Sequence, residues 1–496
     1  MRPLIGAAAL ELSVIRRYGV LSLAAGLTLL WTAVLAALPA PAATALAPYL
    51  LFLDTAGFGA LLVVALLLFE RVEGTDLARN ATPVRPLHAV AVRVALLTAV
   101  SAMMAPPLTL AATRGAPGVS ALALVLAGVA LVAALFLTVC LALGTRSYSL
   151  QGALLTIAPA VVPLILGPMP WLAGAVRHPV LYAVPTTAPA ELIRAGLTGE
   201  TTGSFLALGA GTAWTLACVM GALLLAVRPA SPATPGEAKP SQPRRPRANH
   251  THSPLAAFAA FDTSQTLRDP LLAVVGCAPL ILALVLRWGY PPVVGFVEHA
   301  YGFHAAPHAS AIFAAFVLLH VPVMVGSAVA IRVAEDVDDG TLLMLRVSPL
   351  SVRAYLGYRA ATASLLTAAG LGVTVPLSGL APPLSTGLVA AVALATAQAP
   401  LVMLLTAALA ANKVEALVVL KGVGAVGVLL PALLWALPAP WWWPLTALAP
   451  TWALLALPGY PGGETGAALV TAAGIFLTTV TGLALARRIR ARIEKE

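Results

Sequence analysis

Charge is scarce in this chain. Only 10% of its 496 residues are Asp, Glu, Lys or Arg, against 60% apolar, and the mean hydropathy is +0.94. A water-soluble domain carries roughly a quarter charged residues, so a water-facing surface is excluded. Cysteine is nearly absent. Cys140, Cys218 and Cys277 each lie inside an apolar run, which excludes a secreted disulfide framework and leaves them as small apolar fillers. No G-x-x-x-x-G-K-[ST] phosphate loop occurs, and no polar stretch is long enough to house a nucleotide-binding domain. Basic residues are not interleaved with aromatics, which argues against a nucleic-acid partner. The apolar runs lack alternating polarity, so helices rather than a barrel are expected.

What the chain does have is about twelve apolar runs of spanning length: 18–38, 46–69, 89–112, 119–144, 150–172, 203–227, 270–290, 309–331, 355–378, 385–411, 416–437 and 466–486. About 20 apolar residues cross a bilayer as a helix. Residues 1–17 hold Glu11, Arg16 and Arg17 and no small-residue cleavage site, so the start reads as something other than a secretory signal peptide. Position makes the net charge of +10 informative. Of the 29 Lys and Arg, only Arg114, Arg177, Arg194 and Arg287 fall on one side of a twelve-span topology. Positive residues stay in the cytoplasm, so both termini are expected there. The basic side is also expected to touch anionic membrane lipids.

One segment occurs twice. Residues 69–93 read FERVEGTDLARNATPVRPLHAVAVR, and residues 334–359 read AEDVDDGTLLMLRVSPLSVRAYLGYR. Superposed, Glu73-Gly74-Thr75 meets Asp339-Gly340-Thr341, Thr82-Pro83 meets Ser348-Pro349, and Arg93 meets Arg359. Other places match in the same order. Glu11 to Arg17 precedes the first run and Asp262 to Arg268 the seventh; Val184-Pro185-Thr186 matches Ala449-Pro450-Thr451. A repeat on this scale indicates fused membrane units. The expected fold is therefore all-α and integral to the membrane, with about twelve transmembrane helices as two homologous six-helix halves in parallel orientation. The halves are 1–227 and 255–496. Between them, 228–254 is rich in Pro, Ser, Ala and Arg and too poor in apolar residues to fold, so a disordered cytoplasmic linker is expected.

The pattern acidic–Gly–Thr, then Thr/Ser–Pro, then a basic residue opening the next span resembles the permeases of type-2 ABC exporters. LFLDTAGFG in the first half and NKVEALVVLK in the second are similar to that family's fluoroquinolone and drug-export branch. The resemblance covers nearly the whole chain, twice. It implies an amphipathic elbow helix before each half (3–17 and 255–269), an ATPase-docking coupling helix between the second and third spans (73–88 and 339–354), and short re-entrant helices on the outer side (175–200 and 440–462). It assigns ATPase coupling to Glu73, Gly74, Thr75, Pro83, Asp339, Gly340, Thr341 and Pro349. Locally, Gly74 and Gly340 permit a turn out of the span, Thr75 and Thr341 can cap a short helix, and Pro83 and Pro349 suit a turn or a new helix start.

The implied function is the permease subunit of an ATP-driven exporter in the plasma membrane, moving a hydrophobic drug, antibiotic, peptide or lipid-like substrate outward. This chain would not be an enzyme and would bind no cofactor, ATP and magnesium belonging to a separate ATP-binding subunit. Two copies of that subunit would dock on one fused chain acting as a pseudo-dimer. Two other classes remain open. A six-plus-six secondary transporter would need no ATPase, but its commonest form carries G-x-x-x-D-R-x-G-R-R where this chain has Glu73-Gly74-Thr75. A membrane-embedded assembly subunit is the other.

Further ionisable residues stand out. Asp54, and His320 at the matching place in span eight, are candidates for the translocation path, since a charge inside a membrane is costly and often functional. Glu70, Arg71, Glu73, Asp336, Asp338 and Asp339 could pair across the boundary between halves or with a partner, or act as interfacial anchors. Glu298, His299, His304 and His308 in the 287–308 stretch are too loosely spaced for a metal site and read as a solvated outer loop. Trp441, Trp442 and Trp443 read as an outer interfacial anchor.

Overall fold

The computed structural model describes residues 2–72, 85–115, 117–147, 150–174, 178–200, 203–228, 253–266, 270–301, 304, 308–341, 344, 347–435, 442–458 and 466–493. Among them no strand occurs. The chain divides into two compact units, Met1–Glu237 and Ala238–Glu496. Most of the linker expected at 228–254 lies outside the described residues.

Eleven helices among the described residues are long and apolar enough to cross a membrane. The expected second span is present but is not one continuous helix. It runs as Ala40–Tyr49, a π-helical stretch Leu50–Ala56, a turn at 57–59 and then Ala60–Val72. The remaining runs form continuous or nearly continuous helices.

In the first unit the elbow helix Arg2–Arg17 precedes span one, Val20–Ala37. Span one buries Val20, Ala24, Leu27, Trp31 and Leu35, a stripe at the 3.6-residue period of a helix with one covered face. Span four, Val119–Gly144, is the hub. Spans three and six and the helix Thr187–Thr198 all pack against it. Glycine permits the closest of these contacts. A Cβ on Gly128 would sit 2.6 Å from the Pro189 carbonyl oxygen, and one on Gly196 would sit 2.5 Å from that of Ala121. Without a hydrophobic force between helices in lipid, such close backbone approach is a main source of association.

In the second unit the elbow helix is Pro254–Thr266. Span seven does not end at residue 290 as expected. It continues as a π-helical stretch Val285–Gly289 and the helix Tyr290–Tyr301, so most of the stretch expected as an outer loop is helical. Span eight holds a second π-helical stretch, Ala314–Leu319, followed by His320–Asp338. The core of this unit gathers Val329, Val333, Tyr355, Ala399 and Met403 from spans eight, nine and ten.

Short helices interrupt the chain between the fifth and sixth spans of each unit, as the resemblance implied. They are Pro179–Ala183 and Thr187–Thr198 in the first unit, and Trp442–Leu445 and Ala449–Leu455 in the second. Trp443 is exposed there, while Trp441 lies outside the described residues.

Candidate functional site

Each unit closes a buried ion cluster around one arginine. In the first, Arg93 on span three donates to Glu11 of the elbow helix, from Nη2 at 2.6 Å and from Nε at 3.1 Å, and also donates to Glu70 at the end of span two. In the second, Arg359 donates from Nη1 to Asp262 of the elbow helix at 3.0 Å and from Nη2 to Asp336 of span eight at 2.6 Å. Arg93 and Arg359 are 3% and 4% exposed. An arginine so far from water is stable only when its donors are taken up, and the planar fork of guanidinium suits two carboxylates at once.

These clusters change the reading of the acids. Glu70 and Asp336 pair inside their own units, with the arginine that opens the following span. Asp338 accepts from the Lys413 backbone N–H at 3.2 Å, again within the second unit. Glu11 and Asp262 were visible in sequence only as matching places before a span; their ion pairs span 82 and 97 residues, a separation at which no local pattern operates.

The two clusters are not equal. Around Arg359 the rings of Phe258, Tyr355 and Tyr358 lie 5.4–5.9 Å from the guanidinium carbon. Tyr355 donates its hydroxyl to Asp336 at 2.5 Å and Tyr358 donates to Asp262 at 3.0 Å. Cation–π contact adds about 0.5–2 kcal/mol per arginine, more as water is excluded.

Arg93 and Arg359 stand just after the segments assigned to coupling. In the first unit Glu73, Gly74, Thr75 and Pro83 lie outside the described residues. In the second, Asp339 ends the span-eight helix, its N–H bonding to the Glu335 carbonyl at 2.9 Å. Gly340 has φ 72°, a left-handed value that glycine adopts without a Cβ clash. Thr341 is itself helical, and the Gly340 carbonyl accepts from the Met344 N–H at 3.2 Å, so glycine holds the capping position. Pro349 lies in a bend, and Ser351 starts the next span by accepting from the Ala354 N–H at 3.2 Å.

Asn412-Lys413-Val414-Glu415 has a local explanation. Asn412 Oδ1 accepts from the Glu415 N–H at 2.9 Å, and Glu415 Oε2 accepts from the Ala411 N–H at 2.7 Å. That reciprocal pairing resembles a capping box and fixes the start of span eleven. The first unit has a turn at Thr145 and Arg146 instead.

Asp54 lies in the π-helical stretch of span two, is 6% exposed and accepts from Trp31 Nε1 at 2.7 Å. His320 directly follows the π-helical stretch of span eight, yet it is exposed. The matched pair therefore has one buried, hydrogen-bonded member and one surface member. Both sit beside a π-turn, a helix defect found often at functional sites. Glu298 and His304 pair at 2.8 Å on the surface, and no cluster with metal-ligand geometry occurs among the described residues.

Toward the short helices of each unit the halves differ again. In the first, Glu191 is 1% exposed, accepts from the Tyr182 hydroxyl and accepts from the Gly203 N–H at 2.8 Å. Burial and the neighbouring carboxylate push the Tyr182 phenol well above its ordinary pKa. In the second, the corresponding region opens into an apolar cavity of about 200 Å³. Leu319, Val402, Val426 and Pro450 line it, with the Gln398 amide as its main polar group. Gln398 Nε2 donates to the Ala449 carbonyl at 3.3 Å. Such a cavity can hold an apolar group and offer one amide for orientation.

Two helical units, with eleven candidate spans among the described residues and short helices before the last span of each, define a multi-pass membrane protein. Residues 2–229 match the model of the fluoroquinolones export permease protein family, and residues 262–486 match that of fluoroquinolones export permease proteins of the Rv2686c-like type. The fluoroquinolones export permease proteins Rv2686c and MT2760 of Mycobacterium tuberculosis, strains ATCC 25618 / H37Rv and CDC 1551 / Oshkosh, are each 34% identical to this chain over 200 residues. That stretch covers 40% of this chain and 79% of each relative. The chain belongs to the fluoroquinolones export permease family. No solved structure matches it.

Proposed function

We propose that this chain is the membrane-spanning subunit of an ATP-driven exporter of hydrophobic drugs, fluoroquinolone-like compounds among them, powered by a separate ABC-type ATP-binding subunit. The observation that carries the reading is the match of both halves, each separately, to export-permease models in a chain with no phosphate-binding loop of its own. In this reading the chain is not itself an enzyme. ATP and magnesium are bound by the partner. Two copies of that partner dock, one at 73–88 and one at 339–354, and both termini face the cytoplasm.

The ion clusters support this assignment of roles. A docking segment can move a permease only if its base is rigid. Arg93 and Arg359 tie the span after each docking segment to the span before it and to the elbow helix. The relatives are about half the length of this chain, which supports the reading that one fused chain replaces two permease subunits. The Gln398 cavity supports an apolar substrate.

The test is reconstitution. The chain, purified with the ATP-binding protein that co-purifies with it from its native membrane, is placed in vesicles and ATP hydrolysis is followed as fluoroquinolones are added. Stimulated hydrolysis with drug accumulation inside inverted vesicles is the expected result. Drug movement that continues without the ATPase, driven by an ion gradient, sinks the ABC reading in favour of a secondary transporter.

A further inference from the structure

The largest of the cavities described in the second unit, about 790 Å³, lies at the end of spans nine and twelve and shares no lining residue with the Gln398 cavity. Its lining is divided. At one end stand Arg353, in the first turn of span nine, and Arg487 and Arg490, in the last turns of span twelve. Arg353 and Arg487 are exposed and Arg490 is half-buried. Among the described residues none of the three has an acidic partner, in contrast to Arg359, two turns along the same helix as Arg353, which has two. The rest of the lining is apolar apart from Thr479, with Gly357, Ala360, Leu404 and Leu483. Gly357 is open, with nothing within 4 Å of where a Cβ would stand, while a Cβ at Gly482 would touch Leu401 at 3.5 Å.

We propose that this groove binds one anionic phospholipid, with the phosphate held by Arg353, Arg487 and Arg490 and an acyl chain laid along the Gly357 and Ala360 side of span nine. Three guanidinium groups on two helices, without an acidic partner among the described residues, form a site for a phosphate, which the planar fork engages through paired hydrogen bonds. A free anion would use only that end of the groove. The apolar trough continuing from it along two membrane spans matches a ligand that carries its charge and its hydrocarbon in one molecule. Basic pockets between transmembrane helices hold anionic headgroups by the same division of labour. The bound lipid would join span nine, which follows the second docking segment, to span twelve. The site has no counterpart in the proposed drug path and does not depend on which substrate is exported.

The experiment is native mass spectrometry of the full chain in neutral detergent. Phosphatidylglycerol, phosphatidylcholine with the same acyl chains, and inorganic phosphate are the probes. Near-surface arginines favour an anionic lipid, so phosphatidylglycerol is expected to be retained about tenfold or more over phosphatidylcholine. Arg487→Ala with Arg490→Ala removes that preference. Gly357→Trp fills the trough without altering charge and also removes it. Equal retention of the two lipids overturns the proposal, as does undiminished phosphatidylglycerol binding by Gly357→Trp. Displacement of phosphatidylglycerol by inorganic phosphate shows a free-anion site and overturns it too. Should the double arginine variant lose its thermal transition, the Gly357→Trp protein and the wild-type lipid comparison decide.

Discussion

Arg93 grips Glu11 through both Nε and Nη2, across 82 residues of chain, and so pins the elbow helix to the head of span three. Arg359 grips Asp262 across 97 residues through Nη1 alone. Each pair gains a second acid from the preceding span, Glu70 or Asp336. Three elements of each unit therefore meet at one guanidinium, beside the segment where a docked subunit would push.

Removing either arginine is expected to leave buried acid, Glu11 in the first unit and Asp262 and Asp336 in the second, without its cation. Breaking a buried pair costs about 3–5 kcal/mol, so Arg93→Ala and Arg359→Ala should each lower the thermal unfolding temperature in detergent. Arg359→Lys should recover only part of the loss, because an ammonium cannot span Asp262 and Asp336 with one planar fork. Unchanged melting of Arg359→Ala would show that the cluster is not closed in the folded protein.

The glycine contacts of the first unit make a sharper comparison. Gly128→Val must displace the Pro189 carbonyl or Ile193, which stand 2.6–2.7 Å from the new Cβ. Overpacking of this kind costs about 1–3 kcal/mol. Gly209→Ala, on span six, meets nothing within 4 Å and should melt like the parent. Equal melting of all three proteins would mean that span four and the helix Thr187–Thr198 are not packed as described.

Coupling is tested by charge reversal. Glu73→Arg together with Asp339→Arg should weaken co-purification with the ATP-binding subunit and drug-stimulated hydrolysis, while membrane insertion stays intact. Loss of one partner of a desolvated interfacial pair costs about 2–5 kcal/mol. Normal co-purification and transport by the double variant would make these acids ordinary surface charges.

Orientation is tested with thiols. After removal of Cys140, Cys218 and Cys277, single cysteines are placed at Ser253 and at His304. A membrane-impermeant reagent applied to whole cells should label the cysteine at 304 and spare the one at 253. The reverse pattern would invert the topology.

Stoichiometry and asymmetry follow from the fusion. Native mass of the assembled complex should give one permease chain with two ATP-binding subunits; two permease chains with two ATPases would end the pseudo-dimer reading. Because the halves have diverged, equivalent substitutions at Pro83 and Pro349 are expected to impair transport to different degrees. Equal loss at the two positions would count against functional divergence.

Hydropathy was enough to establish a helical membrane protein of about twelve spans, because spanning length is written directly in residue order. The turn at Gly340 was legible for the same reason, since only glycine reaches a φ of 72° without a Cβ clash. Tertiary structure decided what order along the chain could not. The break at 57–59 and the π-helical stretches leave an apolar run looking continuous. The partners of Arg93 and Arg359 arrive from 82 and 97 residues away, and a buried charge takes whichever acids the fold brings within about 3 Å. Asp54 and His320 occupy matching places in the repeat, yet packing buried one beneath Trp31 and left the other at the surface. Residue type and position set which side chains are costly in a membrane; only the packed helices determine which of them are hidden and what satisfies them.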